Sequence, residues 1–317
     1  MPERKQAAGA AMLDCLVIGG GPAGLTAGLY LARFQRKFLV VDAGAPRAAA
    51  IPTSHNLPAF PDGLTGPDLI ARQRETLLRY GPDSLLDGRV ETLTRADCGF
   101  SARIAAPGRS FEIAARRVLL ATGAQDVELD LPDQKDAVRR GLVRYCPICD
   151  GFEARDKKIG VIGFGARGLN EALFIARAYG ADVTLLTLGR ALDLTPDQQA
   201  RCDRLGVKLA RAPVRSLQVE GDHIAALHFG SEGEMRFDTL YSALGLTPRG
   251  QLGLALGAAH DDCGALTVDP RQQTSVPGLY AAGGVVEGLD QIVVAMGQAA
   301  VAATHIHNHC EETVDRV

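Results

Sequence analysis

Two stretches of the chain share one pattern. Leu13-Asp14-Cys15-Leu16-Val17-Ile18 is an apolar run fit for a buried parallel strand, and Gly19-Gly20-Gly21-Pro22-Ala23-Gly24 follows at once. A helix is predicted next, over 25–36, where Leu25, Leu29 and Phe34 mark apolar positions in an Ala- and Leu-rich segment. The following run, Phe38-Leu39-Val40-Val41, ends at Asp42. The same order returns further on. Ile159-Gly160-Val161-Ile162 leads into Gly163-Phe164-Gly165-Ala166-Arg167-Gly168, a helix is predicted over 169–179, and Val183-Thr184-Leu185-Leu186-Thr187-Leu188 reads as the next strand. Two strand–turn–helix–strand openings imply two nucleotide-binding-type domains, hence an α/β protein.

Between the two units, Arg117-Val118-Leu119-Leu120-Ala121-Thr122-Gly123 reads as a strand stopped by a glycine turn. A counterpart over 237–245 is closed by Gly245 before Pro248. Residues 214–229 alternate enough for antiparallel strands about a Gly221-Asp222 turn. Gly278-Leu279-Tyr280-Ala281-Ala282-Gly283-Gly284 precedes a last predicted helix around 291–308, and the tail 310–317 is expected to fray.

Glycine spacing gives the first chemistry. Gly19, Gly21 and Gly24 fit G-x-G-x-x-G between strand and helix: one glycine for the tight turn, one for close approach of a pyrophosphate, one for strand–helix packing. Asp42, at the end of the second strand, is placed to accept hydrogen bonds from ribose hydroxyls. Gly163, Gly165 and Gly168 repeat the fingerprint, but Leu188-Gly189-Arg190 stands where the acid would be. Arg190 could favour a 2′-phosphate by charge, so a nicotinamide dinucleotide, NADPH or NADH, is a candidate ligand there; a domain that kept the fold but uses another donor is the alternative.

Cys146-Pro147-Ile148-Cys149-Asp150-Gly151 holds the one close cysteine pair. Two sulfurs two residues apart can open and close a disulfide within a turn, whereas zinc would require further clustered Cys or His ligands. No second pair is present, so no metal is expected. With Asp150 adjacent, thiol–disulfide exchange with nearby proton transfer is the natural chemistry. Inert buried thiols, or half of an intermolecular metal site, are the alternatives for this pair; Cys15, Cys98, Cys202, Cys263 and Cys310 are scattered, and none is assigned a catalytic role.

Composition then narrows the setting. The 317 residues include 34 Lys+Arg against 37 Asp+Glu, a formal charge of −3, which excludes a nucleic-acid binder relying on bulk positive charge. A 46% apolar content with 36 Gly and 16 Pro describes a folded chain of two domains by length, and an odd count of seven Cys argues against a disulfide-built scaffold. No apolar run reaches membrane-spanning length and no secretory leader is evident, so no membrane binding and a cytoplasmic location are expected.

At this point the chain resembles the low-molecular-weight thioredoxin reductases and thioredoxin-reductase-like flavoproteins. The likeness is carried by 19–24, His55-Asn56, Ala121-Thr122-Gly123, 146–151, 163–168, Leu244-Gly245, Ala281-Ala282-Gly283 and Asp290-Gln291. It implies two Rossmann-like three-layer domains, the second inserted into the first. The FAD domain would comprise 1–124 and 252–317, and the NAD(P)H-type domain carrying the cysteines 125–251, in a homodimer. FAD would meet Gly19, Gly21, Pro22, Ala23, Gly24, Asp42, Asn56, Ala121, Thr122, Gly123, Gly283, Gly284, Gln291 and Ile292. NAD(P)H would use Gly163, Gly165, Gly168 and Arg190. Cys149 would lie next to the flavin, Cys146 would attack the external disulfide, and Asp150 would move the proton. The implied cycle passes a hydride to FAD, two electrons to the Cys146–Cys149 disulfide, and then, after domain rearrangement, reduces a thioredoxin-like protein or a small disulfide.

Two departures qualify that implication. The family usually carries a basic cluster after the second strand of the nicotinamide domain, where this chain has Leu188-Gly189-Arg190. It also usually has an acid after Ala-Ala-Gly, contacting the FAD ribityl or phosphate region, where this chain has Gly284; losing a charge-assisted bond would weaken flavin retention by about 1.5–3 kcal/mol if nothing substitutes. Three readings stay open: a flavin disulfide reductase with atypical or weak NADPH use, a dithiol oxidase or a reductase with a non-pyridine donor, and a redox-sensing flavoprotein that is not an enzyme.

Overall fold

The computed structural model describes residues 12–128, 134–214, 216–220, 223–228 and 233–310. In chain order the strands are β1 (Leu13–Ile18), β2 (Phe38–Asp42), β3 (Leu85–Asp87), β4 (Arg89–Ala96), β5 (Gly99–Ala106), β6 (Arg109–Leu120), β7 (Ala124–Asp126), β8 (Val143–Arg144), β9 (Lys158–Ile162), β10 (Asp182–Leu186), β11 (Lys208–Ala210), β12 (Ser216–Glu220), β13 (His223–His228), β14 (Glu234–Phe237), β15 (Thr239–Ser242), β16 (Leu246–Pro248) and β17 (Leu279–Ala281). The helices are α1 (Pro22–Arg33), α2 (Gly66–Tyr80), α3 (Gln134–Arg139), α4 (Pro147–Asp150), α5 (Gly165–Tyr179), α6 (Pro196–Leu205), α7 (Gln251–Leu254) and α8 (Ile292–His309).

By packing, the chain separates into two compact units: Met1–Ala49, Pro67–Gln125 and Thr247–Val317 form the first, and Ala50–Gly66 with Asp126–Leu246 the second. The first is built on a sheet ordered β3-β2-β1-β6-β5-β4, with β17 also pairing β6. Strand β1 is buried from Asp14 to Ile18 because parallel neighbours flank it on both sides, β2 and β6. Strand β6 is longer than its sequence pattern suggests. Its start forms a hairpin with β5 and its end, from Ala115 to Leu120, joins the parallel sheet beside β1. Leu16, Ile18, Phe100, Ile104, Val118, Leu120, Leu266 and Leu279 fill this unit's core.

The second unit has an all-parallel sheet ordered β11-β10-β9-β15-β8. Helix α5 lays Leu169, Leu173 and Ile175 on Val161, Val183 and Leu185. The two glycine-loop units therefore fold as the sequence predicts, as Rossmann-like α/β sheets. Strands β12, β13 and β14 make the antiparallel decoration, although the Gly221-Asp222 turn lies outside the described residues, as do 311–317 of the expected frayed tail. Residues 50–66, expected with the first domain, pack within the second unit. The Asn56 amide donates to the Ile148 carbonyl (3.4 Å), and His55 Nδ1 lies 3.3 Å from Glu153 Oε1.

Candidate functional site

In the first unit the chain leaves β1 through Gly19, whose φ of +116° places it where a side chain would overlap the Ala121 carbonyl. A Cβ at Gly24 would overlap the Gly19 carbonyl in turn, so helix and loop touch backbone to backbone. Gly21 caps α1 without a side-chain hydrogen bond, Pro22 opens the helix, and the nearest atom to a Cβ at Gly21 would be Pro46 Cβ at 3.8 Å. That leaves first-turn N–H groups beside a bare glycine shoulder, a cradle that fits a pyrophosphate.

Asp42 lies against the same loop, since a Cβ at Gly20 would overlap its carboxylate. It is buried, accepts from the Gly44 N–H at 3.0 Å through Oδ1 and from Arg74 Nη2 at 2.6 Å through Oδ2. Each carboxylate oxygen has a second lone pair, so the acid can still accept from a ribose hydroxyl. Arg74, on α2, gave no signal in the sequence.

Of the other expected FAD residues of this unit, Ala121, Thr122 and Gly283 lie against Gly19 or Ala23. Ala121 touches Gly19, and Thr122 donates to the Arg249 carbonyl at 2.6 Å, while Gly123 accepts from the Arg249 N–H at 2.9 Å. Gly283 would set a Cβ 3.2 Å from Ala23, and its N–H donates to Gln298 Oε1. Gln291 caps α8 and Ile292 begins it. Gly284 carries the unexpected feature: a Cβ there would stand 2.8 Å from Asp290 Oδ1. A carboxylate, that of Asp290, therefore lies beside position 284 although residue 284 itself carries none. The residues present fit FAD.

In the second unit Cys146 and Cys149 form a disulfide at the start of α4. The Cys149 N–H lies 3.2 Å from Cys146 Sγ and donates to the Cys146 carbonyl at 3.0 Å. Asp150 closes this short helix with its side chain only 19% exposed. Burial pushes its carboxyl above the ordinary range, while the Arg144 guanidinium and then the Tyr241 hydroxyl pull it back. Tyr179, on α5, donates to the Pro147 carbonyl at 2.8 Å, and Ile148 and Phe152 beside the disulfide are exposed. Neither Arg144 nor Tyr241 was legible as a site residue; the one clue was a phenol in a fully buried strand, which needs a partner for its hydroxyl. Asn56 bonds within this unit, to the Ile148 carbonyl.

The second glycine loop keeps its backbone geometry. A Cβ at Gly163 would lie 2.8 Å from Gly168 Cα, and Gly165 adopts φ +60° at the start of α5. After β10 the chain turns through Leu188 and Gly189, both left-handed at φ 55° and 80°, and Arg190 donates its N–H to the Thr187 carbonyl. That turn brings the Arg190 guanidinium 3.8 Å from the Phe164 ring centroid, within the G-x-G itself. Arg167, in the first turn of α5, lies near Gly245. Burial raises the Glu171 carboxyl to about 7, with Arg167 opposing. Among the described residues no cluster of three or more His, Cys, Asp or Glu could hold a metal ion, and no helix is long and apolar enough to cross a membrane.

Two dinucleotide-type units, one carrying a two-residue-spaced disulfide next to a buried acid, define a flavin-dependent disulfide oxidoreductase. The pyridine nucleotide-disulphide oxidoreductase family profile matches residues 13–299. The thioredoxin reductase of Listeria monocytogenes is 28% identical over 310 residues, 94% of each chain, and that of Eremothecium gossypii 32% identical over 311 residues, 90% of this chain and 94% of its own. Among solved structures, HlmI superposes with a TM-score of 0.83 at 29% identity, over 95% of this chain and 93% of its own. The thioredoxin reductase of Streptococcus pyogenes gives 0.84 at 27%, over 95% and 98%. The chain belongs to the pyridine nucleotide-disulphide oxidoreductase family, with the low-molecular-weight thioredoxin reductases. It is a redox enzyme, its cofactor is FAD, and Cys146–Cys149 is its redox disulfide.

Proposed function

We propose that the enzyme exchanges electrons between FAD and a thioredoxin-like protein or small disulfide through Cys146–Cys149, with weak or atypical use of NADPH. The first unit would be the FAD domain and the second the NAD(P)H-type domain. Bound FAD supplies a two-electron carrier. Around it, the Gly19–Gly21–Gly24 cradle and Asp42 would hold pyrophosphate and ribose, and Asp290 would stand in for the acid absent at Gly284. Cys146 would be the attacking sulfur, supported by the Cys149 N–H aimed at its Sγ, a donor that stabilises a thiolate once the disulfide opens. Cys149 would face the flavin and Asp150 would carry the proton. A homodimer in the cytoplasm goes with this reading.

One observation carries the cofactor part of the proposal: the turn after β10 offers a single cation, Arg190, and its guanidinium lies over the Phe164 ring. The glycine loop keeps its dinucleotide geometry, while charge for a 2′-phosphate is reduced to that one side chain. Anaerobic stopped-flow mixing with NADPH and NADH tests it. Slow flavin bleaching with little preference between the two is expected; rapid bleaching by NADPH at micromolar concentration contradicts it. The same turn favours a second reading, dithiol oxidation with oxygen as acceptor, which reoxidation of photoreduced enzyme by oxygen and by candidate disulfides would separate from the first.

A further inference from the structure

Arg144 and Tyr241 are sheet neighbours. Strands β8 and β15 run parallel with Arg144 opposite Tyr241, so the two side chains leave adjacent strands on the same face. Both end on one carboxylate. The Tyr241 hydroxyl donates to Asp150 Oδ1 at 2.7 Å, and Arg144 Nη1 lies 3.3 Å from Asp150 Oδ2. Arg144 is itself fixed, donating from Nη1 to the Asp150 carbonyl at 3.1 Å and from Nε to the Gly141 carbonyl at 2.9 Å. Tyr241 is fully buried, where a phenylalanine would fill the same space without a polar atom to satisfy. A carboxylate gripped at both oxygens, on the helix that carries Cys149, has a fixed direction and a biased protonation state.

The geometry points to Tyr241 and Arg144 as positioning residues that hold Asp150 oriented and ionised as the proton carrier of the Cys146–Cys149 pair. This rests on the role given to Asp150 above. In the exchange, the Cys146 thiol gives its proton to the Asp150 carboxylate and the thiolate attacks an external disulfide. A Cys146–sulfur bond forms, the external S–S bond breaks, and the leaving thiolate takes the proton back from Asp150. Cys149 then attacks Cys146, restoring the internal disulfide, and its proton goes to the second released thiolate. One dithiol is oxidised and one disulfide reduced.

Tyr241 and Arg144 both favour the ionised carboxylate. Burial and the negative charge of Glu153 on the following turn oppose it, and Tyr179 stands nearby on α5 with its hydroxyl on Pro147. Removing the Tyr241 hydroxyl therefore tips Asp150 toward its protonated form, which cannot accept the Cys146 proton. The loss should appear at the acid end of the pH range first.

The test uses holoenzyme reduced with dithiothreitol, freed of excess reductant and mixed anaerobically with dithiobis(nitrobenzoate) across about pH 5–9. For Tyr241→Phe the acid limb of the rate moves to higher pH and the acid-side rate falls about three- to tenfold, with the alkaline plateau within about twofold of the parent. Arg144→Gln moves the limb further, Arg144→Lys restores part of the shift, and Asp150→Asn abolishes the limb. If Asp150→Asn abolishes the limb while Tyr241→Phe and Arg144→Gln keep the parental midpoint, or lower the rate equally at every pH, the positioning role is overturned and the Asp150 role stands. If Asp150→Asn keeps the parental limb, the Asp150 role fails and the positioning role with it. Tyr241→Phe and Arg144→Lys preserve shape, and should either fail to fold, the other decides.

Discussion

The Arg190 guanidinium rests 3.8 Å above the Phe164 ring, joining the turn after the second strand of the nucleotide-type unit to the middle of its glycine loop. An exposed stack of this kind is worth about 0.5–1 kcal/mol, enough to hold the cation in place without neutralising it. Arg190→Ala should reduce binding of NADP⁺ by about tenfold and leave NAD⁺ unchanged, because only the 2′-phosphate needs the charge. Equilibrium titration of both nucleotides, followed by flavin absorbance, checks it. Equal losses for the two would show that Arg190 does not read the phosphate.

Asp290 beside Gly284 leads to a second expectation. Asp290→Asn should weaken FAD retention by about ten- to hundredfold, the range of a charge-assisted hydrogen bond. Gly284→Asp alone should also lose flavin, since its side chain would start 2.8 Å from Asp290 Oδ1 and set two carboxylates together. The double exchange Gly284→Asp with Asp290→Ser should recover much of the loss. Fluorescence of released FAD on dilution reports each case, and undiminished retention in Asp290→Asn would mean that the acid has not been relocated to this position.

The end of α8 holds two half-buried imidazoles, His305 and His307. His305 bonds the Tyr280 hydroxyl through Nδ1 (2.9 Å), its buried Nε2 has no partner, and His307 Nδ1 accepts from Arg36 Nε at 2.9 Å. Burial lowers both imidazoles below their ordinary value, with His309 and Arg36 adding to the effect. The folded form therefore binds fewer protons than the unfolded one. Stability is full above about pH 6.5 and is lost as pH falls through the lowered folded values. Thermal unfolding should begin several degrees lower at pH 5 than at pH 8, and His305→Asn with His307→Asn should flatten that difference. An unchanged slope in the double variant would place the acid sensitivity elsewhere.

Gly151 closes the cysteine turn where no larger residue fits. A Cβ there would overlap the Tyr179 ring and the Pro147 carbonyl, which are already hydrogen-bonded to each other. Gly151→Ala should destabilise the second unit by about 1–3 kcal/mol and break the Tyr179–Pro147 bond. Denaturant unfolding gives the first, and near-ultraviolet circular dichroism of the tyrosine the second. A neutral effect on both would mean that the turn relaxes freely.

Both glycine-loop openings were legible because a strand buried on two faces has to be an apolar run, and a backbone-to-backbone strand–helix contact has to be glycine at Gly19, Gly24, Gly163 and Gly168. The stretch between β2 and the Arg117 strand was not. Strand β4 buries only Val90 and Leu93 of its eight residues, which leaves no clear alternation to read. The start of β6 becomes a strand only because β5 pairs with it. In the site, the cysteine pair and Asp150 stand side by side in the chain, whereas Tyr241 reaches Asp150 from 91 residues away through strand register. Asp290 was hidden for a related reason: it lies six residues on from Gly284 in the chain, and only the fold brings its carboxylate beside that position.

The most direct test of the account is the flavin absorbance of two single-cysteine variants at neutral and alkaline pH. Cys146→Ser leaves Cys149 as the lone thiol of the pair and should show a long-wavelength thiolate–flavin band, while Cys149→Ser should show none. The band in Cys149→Ser alone would reverse the two sulfurs, and its absence from both would contradict electron transfer between FAD and this disulfide through Cys149.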